Sequence, residues 1–148
     1  MSETWYKSDR WRKYSKTFEV QIIYWDCGYC SKSTGPHRWN VYAYIYGDHP
    51  LSDIFDSPTR KDWIAIDALE DYFHGRYSFR EEMKVKSALI YPPSHSKCLK
   101  IGSDYNHDGD EKFSYMDTLE KAKEVHADAD RLFFYLKKLE SEAIGENA

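Results

Sequence analysis

Two alternating segments, residues 17–25 and 38–46, place the strongest constraint on how this chain can fold. In each segment apolar or aromatic side chains recur at every second position. Alternation with a period of two sends one set of side chains to each face of a β-strand. The residues between the segments include two glycines and a proline, which favour a turn. The pattern therefore predicts two neighbouring antiparallel strands.

The end of the chain has the pattern of a long amphipathic helix. From Asp117 onward, apolar residues recur at helical spacing, with Lys and Glu on the other side. A shorter helix is predicted over residues 61–74, with Gly75 as its stop signal. A second pair of strands is predicted over residues 84–91 and 98–105. The apolar stripe of the final helix is Leu119, Ala122, Ala129, Leu132, Phe133, Leu136 and Leu139.

The order strand, strand, helix, strand, strand, helix predicts an α+β fold. Its simplest form is a four-stranded, mainly antiparallel sheet, with a short middle helix and a long C-terminal helix packed on one face. A length of 148 residues corresponds to about one domain, so residues 1–148 are expected to form a single domain. Residues 144–148 are expected to fray.

Charge is distributed unevenly along the chain. The net charge is −4, yet residues 1–17 carry +3 and the remainder carries −7. Residues 1–16 alternate aromatic with basic side chains and are predicted to form a basic N-terminal arm. No stretch approaches the ~20 apolar residues of a membrane helix, and the start lacks the apolar block of a secretory signal. We therefore expect a cytoplasmic location and no membrane partner.

The cysteine spacing predicts a metal site. Cys27 and Cys30 form a C-x2-C pair, and His95 and Cys98 form an H-x2-C pair, each in a predicted turn. Tetrahedral zinc takes four such nitrogen and sulfur ligands, and a site with four protein ligands is structural. His37 is an alternative fourth ligand if His95 points away.

Two other interpretations of the cysteines remain open. Three thiols in a reducing compartment do not suggest a disulfide framework, but a cysteine is often a small buried hydrophobe. A redox pair would need a helix N-terminus that lowers the thiol pKa. No helix is predicted after Cys27, so this interpretation is the least favoured.

Residues 104–111 match half of a calcium-binding loop. Asp104, Asn106 and Asp108 occupy its positions one, three and five, with glycine at position six. Position twelve is Tyr115, where the loop requires a bidentate glutamate. A polar turn built on Asp-Gly is the favoured interpretation, and calcium is not expected.

Known catalytic motifs are absent from the sequence. It has no H-E-x-x-H, no G-x-S-x-G, no phosphate loop and no dinucleotide fingerprint. A non-enzymatic protein is therefore favoured. A small metal-dependent hydrolase that uses His49, His74 or His107 with aspartates is the third hypothesis for function.

Aromatic and basic side chains predict a surface that binds another protein. Tyrosine, tryptophan and arginine contribute most of the binding energy at protein interfaces. The same mixture can bind a nucleic-acid strand, so a nucleic-acid-binding module with a structural zinc and a basic arm is the alternative. The tyrosines can also simply pack under a helix. The predicted partner-binding residues are Tyr42, Tyr44, Tyr46, Trp5, Trp11 and Arg12.

Two segments of the second half carry a resemblance to a known group. The stretches FHGRYSF (73–79) and IGSDYNHDGDE (101–111), before a final helix with DADRLFFYL, resemble small uncharacterised proteins of bacteriophages and prophages. Those proteins have a His-Gly-Gly and a Cys-Asp-Tyr-Asn-His element, from which Arg76 and Ser103 depart. The resemblance implies an accessory protein of a mobile element that binds, and can inhibit, a host protein in the host cytoplasm. It implies no particular chemistry or oligomeric state.

Overall fold

The computed structural model describes residues 4–28, 34–52, 67–76, 79–84, 97–107 and 109–146. This part of the chain forms an antiparallel sheet of six strands, and a long helix follows. The α+β class is confirmed, but the sheet has six strands where four were predicted. The strands are β1 (Tyr6–Lys7), β2 (Trp11–Tyr14), β3 (Phe18–Asp26), β4 (His37–Tyr46), β5 (Phe79–Lys84) and β6 (Lys97–Asp104). Their order in the sheet is β1-β2-β3-β4-β6-β5.

The two alternating segments form the centre of the sheet, as predicted. Strands β3 and β4 pair from Asp26 with His37 at one end to Phe18 with Ile45 at the other. The opposite edge of β4 pairs with β6. Phe18, Val20 and Ile22 of β3 are fully buried, because they lie on the face that the C-terminal helix covers; Phe18 and Phe133 have ring centroids 5.0 Å apart.

The N-terminal segment belongs to the sheet, which differs from the basic arm that was predicted. Strand β2 pairs with β1 on one side and with β3 on the other. Its register sends Lys13 towards the helix, opposite Val20. Lys13 is 4% exposed, lies 3.1 Å from Asp130 and contacts the face of the Phe133 ring at 4.7 Å. This basic side chain is therefore engaged within the fold.

The second strand pair is also antiparallel. Strand β6 agrees with the predicted 98–105 within a residue. Strand β5 is described over Phe79–Lys84, and all but the first residue of the strand predicted over 84–91 lies outside the described residues. Charged residues are typical of an edge strand. The pattern does not predict β5, because Arg80, Glu81 and Glu82 interrupt the apolar alternation.

The helices also differ in extent from the prediction. Of the predicted middle helix, residues 67–70 are helical and residues 71–76 form turns and bends, while 61–66 lie outside the described part. A short 3-10 helix (Glu111–Tyr115) precedes the C-terminal helix (Lys123–Glu146). The C-terminal helix begins at Lys123, after a turn at Thr118, so Leu119 and Ala122 of the predicted stripe precede it. Its end at Glu146 lies within the tail that was expected to fray. None of the described helices combines the length and the apolar character needed to span a membrane.

Candidate metal centre

Two histidines and an aspartate meet beyond the end of β6. His74 Nε2 lies 2.7 Å from Asp110 Oδ1, and His107 Nδ1 lies 3.3 Å from Asp110 Oδ2. One donor atom from each of the three side chains lies within 4.8 Å of the other two. Bonds from zinc to nitrogen or oxygen are about 2.0–2.2 Å long. With small side-chain adjustments, one ion can therefore contact all three donors.

The loop after β6 positions two of the three residues. Asp104 accepts a hydrogen bond from the Asn106 amide at 3.0 Å and so starts a turn. The Asp110 amide then donates to the His107 carbonyl at 3.0 Å, and the His107 amide donates to Asp110 Oδ2 at 2.8 Å. These bonds hold His107 and Asp110 on the same side of the loop. Asp108, which lies between them, is outside the described residues.

A turn anchored in the core positions the third residue. Leu69 and Phe73 are buried, and the Phe73 amide donates to the Glu70 carbonyl at 3.1 Å. Gly75 follows His74 with a φ of +63°, and a Cβ atom there would lie 3.1 Å from the His107 ring. Glycine therefore allows both the left-handed backbone and the close approach of the two loops.

Tyr105 connects His74 to the C-terminal helix. The Tyr105 and His74 rings are stacked, and the Tyr105 hydroxyl donates to Asp128 Oδ2 at 2.6 Å. Burial and then the Asp128 carboxylate raise the pKa of Tyr105, so the phenol keeps its proton at neutral pH. Asp128 is also paired with Arg131 on the next turn. The orientation of His74 therefore depends on a contact with a distant part of the chain.

The side chains of the cluster differ in their exposure to solvent. The side chain of Asp110 is 9% exposed and that of His107 is 38% exposed, so Asp110 forms the floor and His107 the rim. The carboxylate of Asp104 adds a further oxygen at the rim, 3.6 Å from His107 Nδ1. An ion held by the three ligands would have a face that is open to water or substrate.

The zinc site predicted from the cysteine spacing does not form between the two described cysteines. Cys27 follows Asp26, which pairs with His37 at one end of β4, whereas Cys98 pairs with Tyr46 at the other end. At ~3.3 Å per residue, these ends are about 30 Å apart. A zinc–sulfur bond is about 2.3 Å long. One ion cannot bind both sulfur atoms, so the predicted site is wrong for this pair.

The two described cysteines also differ in state. Cys27 is disulfide-bonded, and Cys98 is a free buried thiol within an aromatic cluster. Cys30 and His95 lie outside the described residues. His37, the alternative ligand, has its Nδ1 atom 2.6 Å from the hydroxyl of Tyr24.

The tyrosines predicted to bind a partner are mostly enclosed. Tyr44 is 5% exposed and Tyr46 is fully buried, and both pack with Cys98 on the sheet face opposite the helix. Tyr42 is partly buried beside them. Tyr44 and Tyr46 therefore offer no docking surface in this conformation.

The predicted partner-binding residues of the N-terminal segment also have partners inside the fold. Arg12 is 7% exposed. The Trp5 indole donates to Asp130 of the helix at 2.8 Å, and the Trp11 ring stacks on Trp39 at 5.9 Å. These side chains hold β1 and β2 against the rest of the fold. Binding of a host protein or of nucleic acid stays a prediction, with no support from this segment.

His49 lies in the core and does not join the cluster. It is 2% exposed, its Nε2 donates to the Leu136 carbonyl at 3.0 Å, and its Nδ1 accepts from the Leu51 amide at 3.1 Å. Burial lowers the pKa of His49, so the ring is held neutral. Its role is to connect the loop after β4 to the helix, and it is not a catalytic candidate.

Comparison with protein-family models, with curated proteins and with solved structures found no match to this chain. Its function is therefore inferred from geometry. Asp110 was not among the residues predicted for a hydrolase, whereas His74 and His107 were. A signal was present: FHGRYSF (73–79) contains His74, and IGSDYNHDGDE (101–111) contains both His107 and Asp110.

Proposed function

We propose that His74, His107 and Asp110 bind a divalent transition-metal ion and that the protein is a small metal-dependent hydrolase. The observation that carries the proposal is the convergence of two imidazoles and a carboxylate, from two loops, within 4.8 Å. Imidazole and carboxylate ligands suit zinc and related ions. A site with three protein ligands leaves a coordination position for water, as in catalytic zinc sites.

The surrounding residues support this chemistry. A bound ion would act as a Lewis acid and lower the pKa of a coordinated water to about 7. The Asp104 carboxylate, 3.6 Å from His107 Nδ1, would be available as the proton acceptor for such a water. Tyr105 fixes the ring of His74 by stacking, and Asp128 fixes Tyr105. Such outer contacts orient metal ligands.

The competing interpretation is a structural role for Asp110, as a hydrogen-bonded clasp between the two loops. Without an ion, Asp110 can join the two loops through hydrogen bonds alone, as buried carboxylates often do. A clasp would need no metal. The two interpretations differ in whether an ion binds and in what its loss does to activity.

Calorimetric titration of tag-free protein with Zn²⁺ and Mn²⁺, after treatment with EDTA, tests the metal site. We expect one equivalent of ion to bind, and His107→Ala and Asp110→Asn each to weaken binding at least tenfold. His126→Ala is the matched control, because His126 is similarly exposed and lies on the C-terminal helix beside Asp130. Absence of binding, or equal binding by H107A and H126A, would leave only the clasp.

Hydrolysis is tested with the chromogenic esters p-nitrophenyl acetate and p-nitrophenyl phosphate. We expect turnover of at least one ester to require the ion, to disappear with EDTA and to be lost in H107A but kept in H126A. If the ion binds and neither ester is cleaved, the hydrolase proposal fails and the metal site remains.

A further inference from the structure

A pocket of about 300 Å³ lies beside the proposed metal centre and has Asp104, at the rim of that centre, in its lining. Trp25 pairs with Arg38, and Asn40 pairs with Asp104. Side chains of directly paired residues project from the same face, as do those of residues two apart on one strand. Four side chains from three strands therefore line one wall of the pocket. Asn106, from the metal-site loop, lines it as well.

Arg38 is a buried cation with only neutral partners in the described structure. It is 8% exposed, and its Nη1 donates to the carbonyls of Gly35 at 2.7 Å and His37 at 2.9 Å. Its Nη2 donates to the Thr34 hydroxyl at 3.1 Å. Within the described ranges, no carboxylate oxygen lies within 4.0 Å of this guanidinium. Because arginine has five N–H donors and a buried charge is unfavourable without a counter-charge, this site suits an anion.

Two further side chains indicate what the anion is attached to. Asn40 Oδ1 is buried and has no hydrogen-bond partner, while its amide nitrogen donates to the Tyr42 hydroxyl. Because Asn40 is itself partly exposed, a turn of its side chain would present this unpaired oxygen to a ligand N–H. The Trp25 indole is 42% exposed and has no ring partner among the described residues, whereas Trp11 and Trp39 are stacked. An exposed indole is a surface on which a planar base can stack.

We propose that this pocket binds a nucleoside monophosphate, with the phosphate at Arg38 and the base against Trp25 and Asn40. The pocket volume is at the lower end of the range for small-ligand sites. The inference goes beyond the proposed hydrolase, and ligand binding at this pocket needs no metal ion.

Asp104 also lines the pocket, and its carboxylate opposes the binding of an anion. The Asn106 amide donates to this carboxylate, and the His107 ring lies 3.6 Å away. An ion bound at His107 would offset the negative charge further. Metal and nucleotide are therefore expected to strengthen each other's binding, and this coupling alone rests on the proposed function.

Titration calorimetry with AMP, GMP, CMP and UMP, in buffer with EDTA, tests the pocket. We expect at least one nucleotide to bind with 1:1 stoichiometry and at least tenfold more tightly than its nucleoside or inorganic phosphate. The full chain is used throughout. If none of the four binds, or if phosphate alone binds equally well, the proposal is overturned.

Variants test whether the nucleotide binds in this pocket. Trp25→Ala and Arg38→Lys should each weaken binding at least tenfold, since lysine cannot present the planar fork of arginine. Phe134→Ala is the control, because Phe134 is also exposed but lies on the C-terminal helix. If R38K does not fold, the nucleotide affinity of W25A decides the test, because the Trp25 side chain lies outside the core. Equal affinity for W25A and F134A would exclude this pocket. Nucleotide binding in EDTA with no Zn²⁺ binding would refute the metal site alone.

Discussion

The rings of His74 and Tyr105 lie face to face, with centroids 4.3 Å apart and planes inclined by 15°. His74 belongs to a turn before β5, and Tyr105 follows β6. The Tyr105 hydroxyl donates a hydrogen bond to Asp128 of the C-terminal helix. The candidate metal centre is therefore supported by three segments that are distant in sequence.

Loss of the Tyr105 hydroxyl should weaken this support without removing the stacked ring. We expect Tyr105→Phe to lower the free energy of unfolding by about 1–2 kcal/mol, because a buried bond to a carboxylate is lost. Urea denaturation gives the value. Tyr115→Phe, at a 63% exposed tyrosine, should change it by less than about 0.5 kcal/mol. Equal effects at both positions would contradict a special role for Tyr105.

Gly75 should be required for the approach of the two metal-site loops. A methyl group at residue 75 would contact the His107 ring, whereas Gly28 has nearly the same φ, +65°, and open space around its Cβ position. Both Gly75→Ala and Gly28→Ala should destabilise the fold by about 1 kcal/mol, because alanine is strained at positive φ. Only G75A should also weaken Zn²⁺ binding in calorimetry. A similar loss of zinc affinity in G28A would argue against the steric explanation.

The Glu140 carboxylate should make stability depend on acid pH. Burial favours its neutral form, but hydrogen bonds from Ser15, Thr17 and Lys137 outweigh this and lower the pKa of Glu140 below its ordinary 4.5. A lowered pKa stabilises the folded state above pH 4.5, and this contribution is lost as the pH falls through the folded-state pKa. We expect Glu140→Gln to cost about 1–3 kcal/mol at pH 7.

Urea denaturation of wild type and E140Q from pH 7 down to pH 3 checks this dependence. The difference between the two proteins should be constant above pH 5 and should shrink below pH 4.5. The control is Glu142→Gln, since Glu142 is 55% exposed on the same helix. A difference that grows as the pH falls would have the wrong sign for this carboxylate.

Tyr46 should tolerate loss of its hydroxyl. The residue is fully buried, and its hydroxyl oxygen has no hydrogen-bond partner in the described structure. An unpaired buried hydroxyl is unfavourable by about 1–3 kcal/mol, so Tyr46→Phe should leave stability unchanged or raise it by about 1 kcal/mol. Thermal and urea denaturation measure the change. A loss above about 1 kcal/mol would mean that the hydroxyl does have a partner.

Local periodicity was sufficient to predict the elements that bury an apolar face. Strands β3, β4 and β6 and the apolar stripe of the C-terminal helix follow from alternation and from helical spacing, because side-chain direction depends only on position along the element. Residues 79–83 of β5 were not predicted as strand, because an edge strand needs few apolar residues. The N-terminal strands were missed because basic side chains suggested solvent, whereas Lys13 finds its partner Asp130 near the other end of the chain.

The amino-acid sequence alone determined the fold class, the central strands and the face of the helix that is buried. Only the tertiary structure decided which chemical groups meet. It separated Cys27 from Cys98 by the length of β4 and joined His74 to Asp110, although neither outcome follows from their spacing in the chain. The reason is that strand order and register set distances between remote residues, and these depend on packing across the whole sheet.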